Sequence, residues 1–145
     1  MSTIKHILVP VNGTQESLKA LDIAGKFATL YNAQINLLLV TYFTEETDST
    51  NYKNSWLPAP LTTSVSKYAQ SIFSKAISLL PKNVSIVTHH FSGQPKEQIL
   101  EFTKKHETDV IIMGCRNLSF FSTILNGSVS RHILEKSACS VIIVK

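Results

Sequence analysis

Gly114, two residues, Asn117, nine residues, then Gly127-Ser128 is the stretch of this chain best suited to holding a ligand. It begins where the apolar run Val110-Ile111-Ile112-Met113 ends, and it closes where a helical pattern starts at Ser128. A glycine at a strand end lets the backbone turn sharply and lets a ligand come close. A Gly-Ser pair at a helix start offers unpaired N–H groups and a hydroxyl, the groups that receive an anion. The chemistry this predicts is phosphate binding. The spacing carries more weight than the glycines, because short Gly-rich fragments recur in many unrelated loops.

Other reactive side chains form no catalytic set. Cys115 lies beside the same loop, but a lowered thiol pKa needs positive charge close in space, and Arg116 is only its neighbour in sequence. A small packing residue is the simpler reading. His89 and His90 are consecutive on a strand, so their side chains face opposite ways and make a poor metal pair. His132 reads as a solvated or capping residue on the last helix. Ser128 has no G-x-S-x-G elbow and no base partner. No two carboxylates are spaced for acid–base work. No catalytic residue and no metal ligand is assigned.

These residues need a scaffold, and the pattern of the chain supplies one. Strands are predicted at Ile4 to Val11, Ile35 to Tyr42, Val84 to Phe91, Val110 to Met113 and Val141 to Val144. Helices are predicted over 16–31, 63–80, Pro95 to about His106, and 128–136. In the first helix Ala20, Ile23, Ala24, Phe27, Ala28 and Tyr31 recur at steps of three and four, with Thr14 as the N-cap. In the second, Val65, Tyr68, Ala69, Ile72, Phe73, Ala76, Ile77 and Leu80 make one apolar stripe, and Pro81 ends it. In the third, Ile99, Leu100 and Phe102 face inward. The run Leu37 to Val40 lacks alternation, as in strands covered on both faces. The third strand is the most polar, with Ser85, Thr88, His89 and His90, and reads as a sheet edge. Residues 43–61 break the alternation. They read as a long loop whose Trp56 packs on the domain.

The order β-α-β-α-β-α-β-α-β predicts an α/β fold. It is a single domain over 1–145, an open parallel sheet with helices on both faces and right-handed crossovers. Ligands of such sheets bind beyond the carboxyl ends of the strands, where the strand order reverses. The turn-rich ends Val11-Asn12-Gly13 and Gly114-Cys115-Arg116 would flank that crevice if strands one and four are neighbours.

Composition narrows the function. The chain has 145 residues, 43% of them hydrophobic and 17% charged, enough for one compact core. Its net charge of +4 comes from scattered lysines and two arginines, with no run longer than Lys104-Lys105. That argues against a nucleic-acid footprint. No apolar stretch approaches a membrane span, and no signal-peptide pattern opens the chain. Cys115 and Cys139 form no C-x-x-C pair, which fits a reducing cytoplasm.

The sequence Ile7-Leu8-Val9-Pro10-Val11-Asn12-Gly13-Thr14 resembles the opening of universal stress proteins, where an aspartate usually stands at the place of Asn12. The Gly114 to Ser128 stretch resembles their ATP-binding loop, which reads Gly, two residues, Gly, nine residues, Gly, then Ser or Thr; here Asn117 holds the second glycine's place. Ser140 to Lys145 is similar to the family ending. The resemblance covers all but the 43–61 loop. It implies a five-stranded sheet in order 3-2-1-4-5 with a Rossmann-like layout, a homodimer through strand five, and regulation through protein partners. It also implies bound ATP or AMP, with magnesium through the phosphates. The matching positions are Pro10, Asn12, Val40, Met113, Gly114, Asn117, Gly127, Ser128 and Val129. Val40 and Met113 would border the base with Gly114 nearby, and Gly127 and Ser128 would meet the phosphates. Arg116 could add charge. The alternative is a dimeric interaction module of the same fold that has lost the nucleotide. Asn12 keeps a hydrogen-bonding oxygen without the carboxylate charge. Asn117 tolerates a positive φ but adds bulk.

Restoring both positions tests their cost. Asn12→Asp combined with Asn117→Gly is expected to raise nucleotide affinity in a fluorescent-nucleotide titration. An unchanged affinity would show that neither departure limits binding.

Overall fold

The computed structural model describes residues 3–41, 65–115 and 129–145. Five strands are present: β1 (His6–Pro10), β2 (Gln34–Thr41), β3 (Ile86–Ser92), β4 (Val110–Gly114) and β5 (Ser140–Val144). The described helices are α1 (Gln15–Tyr31), α2 (Val65–Ser78), α3 (Pro95–Lys105) and α4 (Val129–Lys136). The strands form one parallel sheet in order β3-β2-β1-β4-β5. This is the α/β architecture expected from the sequence, and β3 is the edge strand its polarity suggested.

Strand alternation divides the core in two. Ile7, Val9, Ile35, Leu37, Val110 and Ile112 face α1 and α2, meeting Ala20, Leu21, Ala24, Tyr68, Ala69 and Ile72. Leu8, Leu38, Ile111 and Met113 face α3 and α4, meeting Ile99, Phe102 and Ile133. β2 is buried along nearly its whole length, which accounts for its unbroken apolar run.

Two ends of the central pair are fixed by different means. At the amino end, Asp109 Oδ2 accepts the backbone N–H groups of Lys5 and His6, each at 2.8 Å, while its own N–H donates to the His6 carbonyl at 2.9 Å. Burial alone would raise the Asp109 pKa. The two backbone bonds, with charge from His6 and Lys5, outweigh it and hold the carboxyl below its ordinary value. At the carboxyl end, the first turn of α1 lies directly on Gly114. A Cβ built on Gly114 would collide with the Glu16 backbone carbonyl.

α1 is stopped and started by its own residues. Thr14 caps it, its hydroxyl accepting the Ser17 N–H at 3.4 Å, and Gly13 turns into it with φ 79°. Asn32 ends it in the left-handed region with φ 55°. The stripe predicted on α2 is wider than the face that packs. Tyr68, Ala69, Ile72, Ala76 and Leu80 are buried, but Ile77 is 43% exposed, because the helix lies flat on β2 and β3 and Ile77 falls on its outer flank. Tyr31, predicted inward on α1, is likewise 40% exposed, at the helix's last residue.

Gly114→Ala is the sharpest test of this packing. The obstacle is backbone, so no rotamer change relieves it, and a loss of about 2 kcal/mol or more is expected from overpacking. Urea unfolding monitored by circular dichroism would measure it, and a loss below about 0.5 kcal/mol would contradict the close approach.

Candidate functional site

The strand order places the site. The chain steps outward from β1 to β2 to β3, then returns across the sheet to β4 on the other side of β1. The strand order therefore reverses at β1 and β4, with α1 packed on one face of the sheet and α4 on the other; ligands of such sheets bind beyond the carboxyl ends of the strands at this point.

The register shows which side chains lie together at these carboxyl ends. Leu8 is level with Ile111, and Pro10 with Leu38. Leu8, Leu38, Ile111 and Met113 all lie on the face that carries α3 and α4. By alternation Pro10 stands on that face too. Val40, two residues beyond Leu38, packs there, as does Val129 at the start of α4. Pro10, Val40, Met113 and Val129 thus make an apolar shelf near the carboxyl ends of three adjacent strands. Met113 is buried, while Pro10, Val40 and Val129 are half-buried.

Asn12 lies just past the shelf and is exposed. Its Oδ1 accepts from the backbone N–H and the hydroxyl of Thr14, at 3.0 and 2.6 Å. The sequence reading found the Thr14 cap and missed this turn. The signal was an asparagine two residues before a capping threonine. Gly114, half-buried as the last residue of β4, has a purpose the sequence did not reveal: its missing side chain makes room for α1. Cys115 is half-buried, and its N–H donates to the Val144 carbonyl at 3.2 Å. Arg116, Asn117, Gly127 and Ser128 lie outside the described residues, as does the 43–61 loop with Trp56.

The two adjacent histidines separate as their strand position requires. His89 Nε2 donates to Asn36 Oδ1 at 3.0 Å on one face, while His90 Nε2 is 2.9 Å from Thr41 Oγ1 on the other. His89 also packs edge-on to Phe102, which stacks on His106. Among the described residues no group of three or more His, Cys, Asp or Glu could hold a metal ion. Among them also, no helix is long and apolar enough to cross a membrane.

A family model described as the universal stress protein family matches residues 3–145. The chain belongs to this family. It is 28% identical over 144 residues to the universal stress protein YxiE of Bacillus subtilis (strain 168), an alignment spanning 96% of this chain and 97% of that protein. Among solved structures, it is similar to a universal stress protein in complex with cAMP, with a TM-score of 0.69, 21% identity, and coverage of 99% of this chain and 98% of that one. It is also similar to a universal stress protein family protein of Arabidopsis thaliana with AMP bound, with a TM-score of 0.64, 14% identity, and coverage of 97% and 91%.

The two adjacent histidines of β3 are expected to give this universal stress protein a pH dependence. Burial lowers the pKa of both below the ordinary 6.5, and His106 lowers that of His89 further. Both therefore favour the neutral form more in the folded chain than in the unfolded one. The unfolded chain takes up these protons first, so their contribution is complete above about pH 6.5 and is lost as the pH falls toward the folded values. The thermal midpoint is expected to drop on acidification from about pH 7.5 to about pH 5. The drop should be smaller in the His89→Gln, His90→Gln double variant. An equal drop in both proteins would assign the acid sensitivity to other groups.

Proposed function

We propose that this universal stress protein is a cytoplasmic regulatory protein that binds an adenine nucleotide, ATP or AMP, over the carboxyl ends of β1 and β4. The observation that carries this reading is the apolar shelf of Pro10, Val40, Met113 and Val129 at the switch point. Its apolar side chains suit one face of a purine ring. Nucleotides bound to two similar structures, cAMP in one and AMP in the other, support the ligand class.

In this reading Val40 and Met113 border the base, with Pro10 beneath it and Asn12 at the open rim. Gly114, Arg116, Asn117, Gly127, Ser128 and Val129 belong to the loop and helix start that receive the phosphates. Magnesium accompanies the phosphates; Asn12 supplies no carboxylate to hold it. The protein then acts through partners that distinguish its loaded and empty forms.

Assembly completes the proposal. β5 is a sheet edge, and Val141 to Val144 stay only half-buried although they are apolar on both faces. An apolar edge invites pairing. The same strand of a second copy would cover it through a self-complementary two-fold interface. The rival reading, an interaction module that has lost its nucleotide, is favoured by two departures from the family sequence: Asn12 lacks the charge of the usual aspartate, and Asn117 stands where a glycine is usual.

Titration calorimetry with ATP separates the two readings. Binding is expected in the parent, weakened by about 1 kcal/mol in Ser128→Ala through loss of one hydrogen bond to phosphate. No heat of binding in either protein would favour the interaction module. Equal affinities would remove Ser128 from the site.

A further inference from the structure

β3 is an edge strand with nothing on it that discourages pairing. It runs in unbroken register with β2 from Ile86 to Ser92, and it contains neither lysine nor proline. The ladder defines its free side. The Ile35 N–H donates to the Ser85 carbonyl at 2.8 Å, and the Gly93 N–H donates to the Thr41 carbonyl at 2.9 Å. In a parallel ladder alternate residues turn both backbone groups to the same neighbour. Ser85, Val87, His89, Phe91 and Gly93 therefore serve β2, while Ile86, Thr88, His90 and Ser92 turn their N–H and C=O groups outward. Among the described residues no strand takes these groups. Thr88, His90 and Ser92 are exposed. A row of exposed backbone donors and acceptors is a template for one more strand.

The side chains decide which strand fits. A strand laid beside β3 places its side chains level with those of β3, alternately on the two faces. On the α3 face it meets Val87, which is 39% exposed, and the half-buried Phe91, so apolar residues fit there. On the α2 face it meets the polar Thr88, His90 and Ser92. α2 covers this face and carries the exposed Lys75, and the exposed Lys82 sits in the turn that leads from α2 to β3. Neither lysine has an ion-pair partner among the described residues. From Val65 to Lys96 the sequence contains no acidic residue. The carboxylates Glu97 and Glu101 belong to α3, on the opposite face of the sheet. Carboxylates on an added strand would therefore meet positive charge on the α2 face. A second copy of β3 would instead set these basic segments against each other.

We propose that the outer edge of β3 docks an extended segment of a partner protein as an added strand, and that this segment alternates apolar with acidic residues. The assignment holds whether or not a nucleotide binds.

Fluorescence anisotropy with the full chain at about pH 7.5 tests it. The probe is a labelled synthetic peptide of alternating valine and glutamate, as long as β3, and its control carries lysine in place of glutamate. The glutamate peptide is expected to bind, and the lysine peptide to bind at least about tenfold more weakly. Thr88→Pro removes an outward N–H and no bond to β2, and edge strands accept proline at such positions. It is expected to weaken binding of the glutamate peptide by roughly tenfold or more. If the thermal midpoint of that variant falls, Lys75→Glu combined with Lys82→Glu carries the comparison, since neither side chain takes part in the sheet; the preference between the two peptides should reverse. In the parent, bound peptide should also slow amide exchange at Thr88, His90 and Ser92. Equal binding of the two peptides would overturn the acidic partner. Undiminished binding by a folded Thr88→Pro, or no binding of the glutamate peptide by the parent, would overturn docking at β3. Self-association of the parent that Thr88→Pro abolishes would give the edge to a second copy and overturn the proposal.

Discussion

The pairing of β1 with β4 is the constraint on which the rest of the molecule depends. It joins the two halves of the sheet, and it is fixed differently at its two ends. Asp109 gathers the backbone of Lys5 and His6 at the amino end, where both bonds are short and charge-assisted. The carboxyl end has no such clamp. There the chain leaves β1 toward α1 on one face, and the chain beyond β4 leads to α4 on the other. At Gly114 the absence of a side chain lets the first turn of α1 rest on the end of β4.

The two faces of the sheet are covered unequally, and this explains where an apolar ligand surface can exist. α1 and α2 run for 17 and 14 residues and bury a row of alanines tightly on one face. On the other face α3 and α4 have only 11 and 8 residues, and they contribute Ile99, Phe102 and Ile133 to the buried core. Pro10, Val40 and Val129 are half-buried beside the buried Met113. An apolar shelf beside a turn of polar groups suits a ligand with a flat ring and a polar tail. The α/β layout positions such a shelf without specifying its ligand; Asn12 and the loop after β4 do that.

Much of this was legible in the sequence, because the buried strands and amphipathic helices carry strong periodic signals. The unbroken run Leu37 to Val40 announced a strand covered on both sides, and the polar residues around His89 announced an edge. The errors came where a residue has two competing roles. Ile77 is spaced like a core residue, yet it sits on the outer flank of α2. Gly114 looked like a turn glycine and is the last residue of a strand, required by a helix that is distant in sequence and touches it in space. The orientation of Asn12 was hidden because it depends on three hydrogen bonds among neighbours, which residue type alone does not reveal. The residues of the apolar shelf, Pro10, Val40, Met113 and Val129, were legible only through the family resemblance; grouping them from the residues alone needs the register of three strands, and only strand pairing supplies that.

Methyl-resolved NMR during a titration with AMP tests the central claim most directly. It reads the shelf itself and does not depend on any substitution. The account predicts that the methyl signals of Val40, Met113 and Val129 move together and saturate, while those of Val9 and Ile112 on the opposite face stay in place. Shifts centred on that opposite face, or none anywhere at saturating nucleotide, would contradict it.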